Sequence, residues 1–397
     1  MNSESNMNSE NPVNMALSAS QQESVLRATA EIVLAAATGK QPALADASLA
    51  GAAKQRVAGA FVSLKRGRCL RSCCGLFNGP VTLSDALHRA ARRSVLDDPR
   101  FPRVSPGELP WLNMEVWLLA SPRPIKSHGV SRVREVVIGK HGLIITLGSS
   151  SGLLLPSVPV DHHWNAAKFL EQVSVKAGLP RDAWLRDDAK LQLFEGDVLR
   201  GPAVSVAQRK SPDAIPSLPP PLNADQFQAC LAFGRATLRG DSVPVSPILA
   251  ENDEASGVVV SVLAGGERRH FAEFSWKRPA PLRATLPRLL TSAAEELQKT
   301  GSVVPPENVD LMVFHDAQLL GFASEPDLQG VNPREQAIAV VARDQLGWAF
   351  DSARTPEEVL HAARDAAGSA NSLAGTVYRY AATVSDPAIS FARSQAL

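Results

Sequence analysis

The sequence predicts an α+β protein made of two tandem domains, each a mixed sheet flanked by helices. Three observations carry that expectation. Short alternating runs rich in β-branched residues are interleaved with stretches of helical period. A Pro-rich segment without periodicity, GPAVSVAQRKSPDAIPSLPPPL at 201–222, separates two such series and reads as a linker. The order of elements after the linker also repeats the order before it.

Taken in order, residues 1–20, MNSESNMNSENPVNMALSAS, are Asn/Ser-rich and read as a disordered start. Residues 21–37 place Val25, Ala28, Ile32, Val33 and Ala36 at helical spacing, and Gly39 and Pro42 supply a stop. GAFVSLK (59–65) alternates as a strand, and LRSCCG continues it or pairs with it after the turn at Arg66-Gly67. A helix follows over 81–98, with Ser84 as N-cap and Leu87, Ala90, Ala91 and Val95 as its buried stripe. DPRFPRVSPGELP (98–110) reads as an irregular connection. NMEVWLLA (113–120) alternates, with Met114, Val116 and Leu118 on one face and Glu115 and Trp117 on the other. Residues 134–160 read as a glycine-punctuated hairpin, 164–180 as a helix closed by Gly178 and Pro180, and 190–199 as a last strand. The first domain is thus placed at 21–200.

The second series, placed at 223–390, starts with a helix ending in Gly and then Pro (223–245), as the first does. GVVVSVLAGGERRHF (257–271) mirrors GAFVSLKRGRCLRSC, 281–296 mirrors the helix after it, and NVDLMVFHDAQLL (308–320) mirrors the strand at 113. Gly347-Trp348-Ala349-Phe350 falls on Gly152-Leu153-Leu154-Leu155, and EEVLHAARDAAG follows as FLEQVSVKAG does. A diverged tandem duplication explains this order. On this alignment Cys73 falls on Phe271 or Ala272 and Lys140-His141-Gly142 falls near Glu335-Gln336-Ala337, so the second copy keeps apolar periodicity without the polar chemistry.

Composition bounds the function. Lys plus Arg number 41 against 40 for Asp plus Glu, which removes the electrostatic footprint of a dedicated nucleic-acid or anionic-membrane binder. Runs such as EIVLAAAT and GLLLPSVPV fall short of the ~20 apolar residues of a membrane span. The start lacks the basic and apolar regions of a signal peptide. The 4 cysteines do not form a disulfide framework for a chain of this length. A cytoplasmic protein is expected.

Three of those cysteines crowd into GRCLRSCCGLFNGP (67–80). In an extended strand, Cys69, Arg71 and Cys73 share one face and Leu70, Ser72 and Cys74 the other. A guanidinium beside Cys73 lowers the thiol pKa and makes it a candidate nucleophile or redox centre. The competing reading is a small buried side chain, with Arg71 holding a carboxylate such as Glu115 or one of Asp97-Asp98. The Cys-x-x-x-Cys-Cys spacing fits neither a zinc knuckle nor an iron–sulfur loop, so no metal or cofactor is expected. His141, beside Lys140 and Gly142, is a candidate general base if the fold brings it to Cys73, and otherwise a turn histidine bonded to backbone. Asp161-His162-His163 reads as the cap of the helix at 164, and GSSSG (148–152) lacks the helix and Lys-Ser/Thr of a phosphate loop.

The blocks GAFVSLK…LRSCCG, DDPRFPRVSPGELPWLNMEV, GKHGLII, GLLLPSVPV and KAGLP, in that order, resemble the AMMECR family, the A component of the AmmeMemoRadiSam system. The resemblance covers roughly residues 21–200. The family signature Leu-Arg-Gly-Cys-Ile-Gly stands here as Leu70-Arg71-Ser72-Cys73-Cys74-Gly75, and Leu155-Pro156-Ser157-Val158 replaces Leu-Pro-Gln-Val. The resemblance implies an α+β fold with two subdomains around a cleft near the signature. It also implies a place in a modification pathway beside a Memo-type metalloprotein and a radical SAM enzyme. On this reading Cys73, Arg71 and His141 are the candidate catalytic residues. Leu70, Ser72, Cys74, Gly75, Lys140 and Glu115 are candidate binding residues. The alternative is a non-catalytic module whose cleft binds a peptide or small metabolite.

Overall fold

A computed structural model describes residues 17–40, 46–77, 79–210, 217–241, 249–299, 306–342, 345–368 and 375–396. The Asn/Ser-rich start through residue 16 and residues 211–216 of the Pro-rich segment lie outside them. Helix α1 (Ala19–Ala37) starts at a capping box in which Ser18 and Gln21 satisfy each other's backbone N–H groups. Its stripe of Val25, Ala28, Ile32 and Val33 is buried. Strands β1 (Gly59–Arg66) and β2 (Cys69–Leu76) form a hairpin through Gly67, whose φ of 56° suits glycine. Helix α2 (Leu83–Leu96) is capped by Thr82 rather than Ser84, because the Thr82 hydroxyl accepts the Asp85 N–H. Within the expected irregular connection, Ser105 and Glu108 cap a six-residue 3-10 turn, Pro106–Trp111.

Strand β3 (Asn113–Leu119) lies between β1 and a later strand. The hairpin expected at 134–160 is shorter than read, with β4 (Gly142–Leu147) and β5 (Ser150–Leu154) followed by a one-turn helix, Ser157–Asp161. Helix α3 (Ala166–Lys176) is capped by Asn165, not by Asp161-His162-His163. The single strand expected at 190–199 is two, β6 (Lys190–Phe194) and β7 (Gly196–Pro202). The break falls at Glu195, whose carbonyl accepts the Ala120 N–H. It divides the first half into two four-stranded sheets, β7-β3-β1-β2 and one in which Arg123–Pro124 precedes β6-β4-β5. Helices α1 and α2 cover one face of the first sheet, against Ala60, Val62, Leu64, Met114 and Val116. Burying each large aliphatic side chain there is worth ~1.5–3 kcal/mol. The "linker" therefore begins later than read, since Gly201 and Pro202 belong to β7 and Val206–Lys210 is helical.

The second half comprises α4 (Ala224–Arg239), β8 (Gly257–Ala264), β9 (Glu267–Phe274), α5 (Leu282–Lys299), β10 (Asn308–Phe322), β11 (Gln336–Ala342), β12 (Gln345–Asp351), α6 (Pro356–Ala366), β13 (Thr376–Val384) and β14 (Ser390–Ala396). The seven strands so labelled make one sheet, β9-β8-β10-β13-β11-β12-β14, and Glu254–Ala255 pairs separately with Ala280–Pro281. The pairing order follows that of the first half. Strand β10 spans the places of β3 and Arg123–Pro124 without a break, and β13 spans those of β6 and β7. Gly152 and Gly347 occupy matching places. A Cβ on the first would lie 2.7 Å from the Ala177 nitrogen, and on the second 2.2 Å from the Ala367 nitrogen, so each lets a helix approach a strand.

The halves meet along β10. Arg66 donates to the Leu319 carbonyl at 2.5 Å and to Asp327 at 2.7 Å, and Cys69 is buried in the aromatic cluster of the second half. Arg278 reaches back to the carbonyls of Phe101 and Asp98. At this junction β10 shifts register between His315 and Gln318, and Asp316 takes a φ of 53°.

His315 is buried there with no partner for its Nδ1 among the described residues, and burial pushes the imidazole down to about 4. An unfolded histidine titrates near ~6.5, so below that pH the unfolded state takes up the proton first. Stability is therefore complete above about pH 6.5 and is lost as pH falls toward 4, by about 3 kcal/mol from this group. The urea midpoint of a His315→Gln variant should fall less between pH 7 and pH 4.5 than that of the parent. Parallel curves would show that the imidazole is not held neutral.

Candidate functional site

The expected alternation along the signature strand fails at one residue. Leu70 pairs with Lys65 and Ser72 with Leu64, so Arg71 is an extra residue in β2, a β-bulge. Arg71 therefore parts company with Cys73. It turns toward the second half and packs 5.9 Å from the Tyr378 ring centroid. It is fully buried, bonding Glu108 through Nε and Nη2 at 2.8 Å each and the carbonyls of Pro102 and Arg103 at 2.9 and 2.8 Å. Glu108 also accepts the N–H groups of Ser105 and, across the interface, Leu319. Neither Glu115 nor the Asp97-Asp98 pair is the partner of Arg71. Burial works against its charge, but Glu108 outweighs that and keeps the guanidinium firmly protonated.

Cys73 lies on the opposite face, half-buried, with the Ser63 hydroxyl 3.1 Å from its sulfur. Its backbone is clamped instead. Asp98 accepts its N–H at 2.8 Å, and Arg100, paired with Asp98, donates to its carbonyl at 3.0 Å. Burial pushes the thiol up, and the Ser63 hydrogen bond and Arg100 offset this only in part. The thiols of Cys69 and Cys74 are pushed up to about 11 by burial. None of the three carries the depressed pKa of an activated thiolate.

The other expected residues are placed as follows. Leu70 is half-buried beside Lys65, whereas Ser72 is buried with no hydrogen-bond partner for its hydroxyl among the described residues. The Cys74 N–H is held by Ser94 of α2, which in turn donates to Val62 and Cys74 carbonyls. Glu115 bridges Lys65 and Arg200 at 3.1 Å each. Lys140 pairs with Glu195 at 3.3 Å.

His141 is 3% exposed, and its Nδ1 accepts the Val137 N–H at 3.0 Å. Its Nε2 lies 3.5 Å from Glu195 and 3.4 Å from Arg123. Burial, with Arg123 adding to it, lowers its pKa. Nδ1 is thus held by its own loop and Nε2 faces Arg123 and Glu195 rather than Cys73. It is the backbone-bonded turn histidine of the second reading.

What the fold does form is a cleft of about 560 Å³ between the two sheets of the first half. Gly75 and Leu76 of β2 and Ser151, Gly152 and Leu153 of β5 line it, and Phe61 and Ile144 add apolar walls. Gly75 has no substitute here, since a Cβ would meet the Ala60 carbonyl oxygen at 2.2 Å and the Phe61 ring at 2.4 Å. Arg89 and Arg93, one turn apart on α2, are the charged residues among the described lining, and no carboxylate joins them. Sequence reasoning missed both. Their i, i+4 spacing on the solvent face of an amphipathic helix was the available signal. It also missed Glu108, although Ser105-x-x-Glu108 has the spacing of a capping box. No group of three His, Cys, Asp or Glu side chains able to hold a metal occurs among the described residues. No helix among them is long and apolar enough to cross a membrane.

Comparison with known proteins places the similarity in the first half. The AMMECR1 family model matches residues 26–199. A protein of Methanocella arvoryzae is 42% identical over 146 residues, covering 36% of this chain and 73% of that protein. One from Thermococcus gammatolerans is 42% identical over 154 residues, covering 36% and 75%. The crystal structure of the uncharacterized protein PH0010 from Pyrococcus horikoshii is similar at 34% identity, covering 46% of this chain and 95% of that one, with a TM-score of 0.41.

Breaking the Arg71–Glu108 pair from either side should be costly. Arg71→Met leaves a buried carboxylate and Glu108→Gln a buried guanidinium, each worth about 3–5 kcal/mol. The double variant Arg71→Met/Glu108→Gln, which buries neither charge, should recover part of that loss in a urea double-mutant cycle built on these two single variants. Additive single effects would mean that the two side chains are not coupled.

Proposed function

This chain belongs to the AMMECR1 family, and from that premise we propose that its first half is a non-catalytic recognition module whose ligand enters the cleft between its two sheets. The observation that carries the proposal is the separation of cation from thiol. Arg71 is spent on Glu108 and the inter-half contact, while the Cys73 sulfur stays protonated in partly apolar surroundings beside Ser63. Without a thiolate and without a free imidazole, the cysteine-dependent reading loses its nucleophile and its base. The cleft keeps what recognition needs, an apolar interior and two arginines at its wall.

The second half is, on this proposal, a duplicated copy kept as a scaffold. It repeats the pairing order of the first and seals the back of the signature strand by burying Cys69 and Arg71. The pathway partners implied by family resemblance, a Memo-type metalloprotein and a radical SAM enzyme, fit the role of an accessory that presents a substrate or docks an enzyme.

A thiol-labelling titration tests the reading. Cys73, isolated by replacing the other three cysteines with alanine or serine, should label with a half-point above the ~8.5 of free cysteine. Cys73→Ala should lower the melting temperature without abolishing folding. A half-point near or below pH 7 would restore an activated thiolate and sink the recognition reading.

A further inference from the structure

The second half shows what its own version of the cleft holds. Its strand β14 pairs antiparallel with β12, with Phe350 opposite Phe391 and Trp348 opposite Arg393. Phe391 enters the aromatic cluster, 5.0 Å from the Trp348 ring. From the same strand Arg393 donates to the His270 carbonyl and Gln395 to the Phe274 carbonyl at 2.9 Å, both on β9. Strand β14 thus bridges the two edges of its half, β12 and β9.

In the first half the matching edges are β5 and β2, since Gly152 pairs with Ile145 as Gly347 pairs with Val340. Each is the last strand of its sheet, and the cleft lies between them. The tail that would fill it is used elsewhere. After β13 the chain doubles back as β14, whereas after β7 it departs through Val206–Lys210 toward α4. An exposed strand edge beside an apolar cleft is a template for strand addition.

We propose that the cleft between β2 and β5 is a strand-addition slot for an extended acidic segment of a partner protein, paired antiparallel to β5 as β14 is to β12. This rests on the recognition reading and specifies its ligand. Apolar side chains at alternate positions would face Leu153 and Leu155, the counterparts of Trp348 and Phe350. The acidic character follows from Arg89 and Arg93. Arg89 is exposed and has no carboxylate partner among the described residues, and no Asp or Glu of the described residues lines the cleft.

The probe is a fluorescein-labelled octapeptide of alternating glutamate and Val/Phe/Leu, titrated into the full chain by anisotropy. Hydrogen exchange is followed in parallel. Saturable binding with new amide protection across Ser150–Leu154 is expected. N-methylation of alternate amides should abolish it, and Arg89→Glu should weaken it about tenfold while Arg89→Gln weakens it less. Absence of binding, indifference to N-methylation, or protection outside β5 would overturn the slot. Tighter binding of a peptide of residues 388–397 than of the acidic peptide would assign the slot to another copy of this chain and overturn the partner. Failure of the peptide with an unreactive Cys73 removes the slot alone. An activated Cys73 removes the reading beneath it.

Discussion

The fully buried pair of Arg71 and Glu108 is the constraint around which the two halves are arranged. Four of the five guanidinium N–H donors and both carboxylate oxygens are used, by two bonds between the partners, two carbonyls on Arg71 and two N–H groups on Glu108. Such a pair adds little net stability over an apolar replacement, because desolvation of both charges offsets their attraction. What it fixes is geometry. The Leu319 N–H reaches Glu108 only when β10 of the second half lies against the 3-10 turn of the first, and Tyr378 covers the guanidinium only in the same pose. An arginine in a signature strand is thereby a docking pin, which explains why it faces away from the neighbouring thiol.

The two halves share a pairing order but differ in outcome. In the first half the break at Glu195 parts the strands into two sheets and leaves a cleft, while in the second β10 and β13 run through and the interior fills with aromatic rings. Polar positions persist nevertheless. Ser63 pairs with Cys73 and with Glu115, and Ser261 pairs with His270 and with Asp310, so strand register sets His270 where Cys73 stands. The sequence alignment had placed Phe271 or Ala272 there, one or two residues away, because the bulge at Arg71 has no counterpart in β9. Arg268 then closes on Asp310 at 3.1 Å and on Ser261 at 3.1 Å, while the buried His270 Nδ1 has no hydrogen-bond partner among the described residues. Burial, with Arg393 and Arg268 adding to it, lowers the His270 pKa.

Much of the fold was legible because its elements follow simple periods. The stripes of α1 and α2, the alternation of β1 and β3, and the glycines that end α3 and α4 all depend on local spacing, and they sit where spacing puts them. The candidate site was less legible, for a specific reason. A bulge moves one side chain across a strand and leaves no mark in composition, so a strict two-residue period wrongly predicts Arg71 beside Cys73. Long-range partners were hidden for the same kind of reason. Glu108 and Tyr378 meet Arg71 through tertiary packing, 37 residues away in the first case and from the other half in the second. Strands β13 and β14 were passed over although VYRYAATV alternates, and β14 has no counterpart in the first series.

That missing counterpart is the most informative difference between the halves. Sheets of corresponding strand order expose corresponding edges, and an open edge beside apolar surface carries a cost in unpaired backbone groups and in aggregation. The second half meets it by folding its own tail into the gap. On β2, Arg93 and Arg100 already cover the Gly75 and Cys73 carbonyls, so this edge is blunted by side chains. On β5 no comparable side-chain cover is present among the described residues, apart from Thr146 meeting Ser151 on its paired side. One edge capped and the other available is the asymmetry a single added strand requires. A tail committed to linking the halves cannot supply that strand, and the arginines on α2 select against a basic one such as β14.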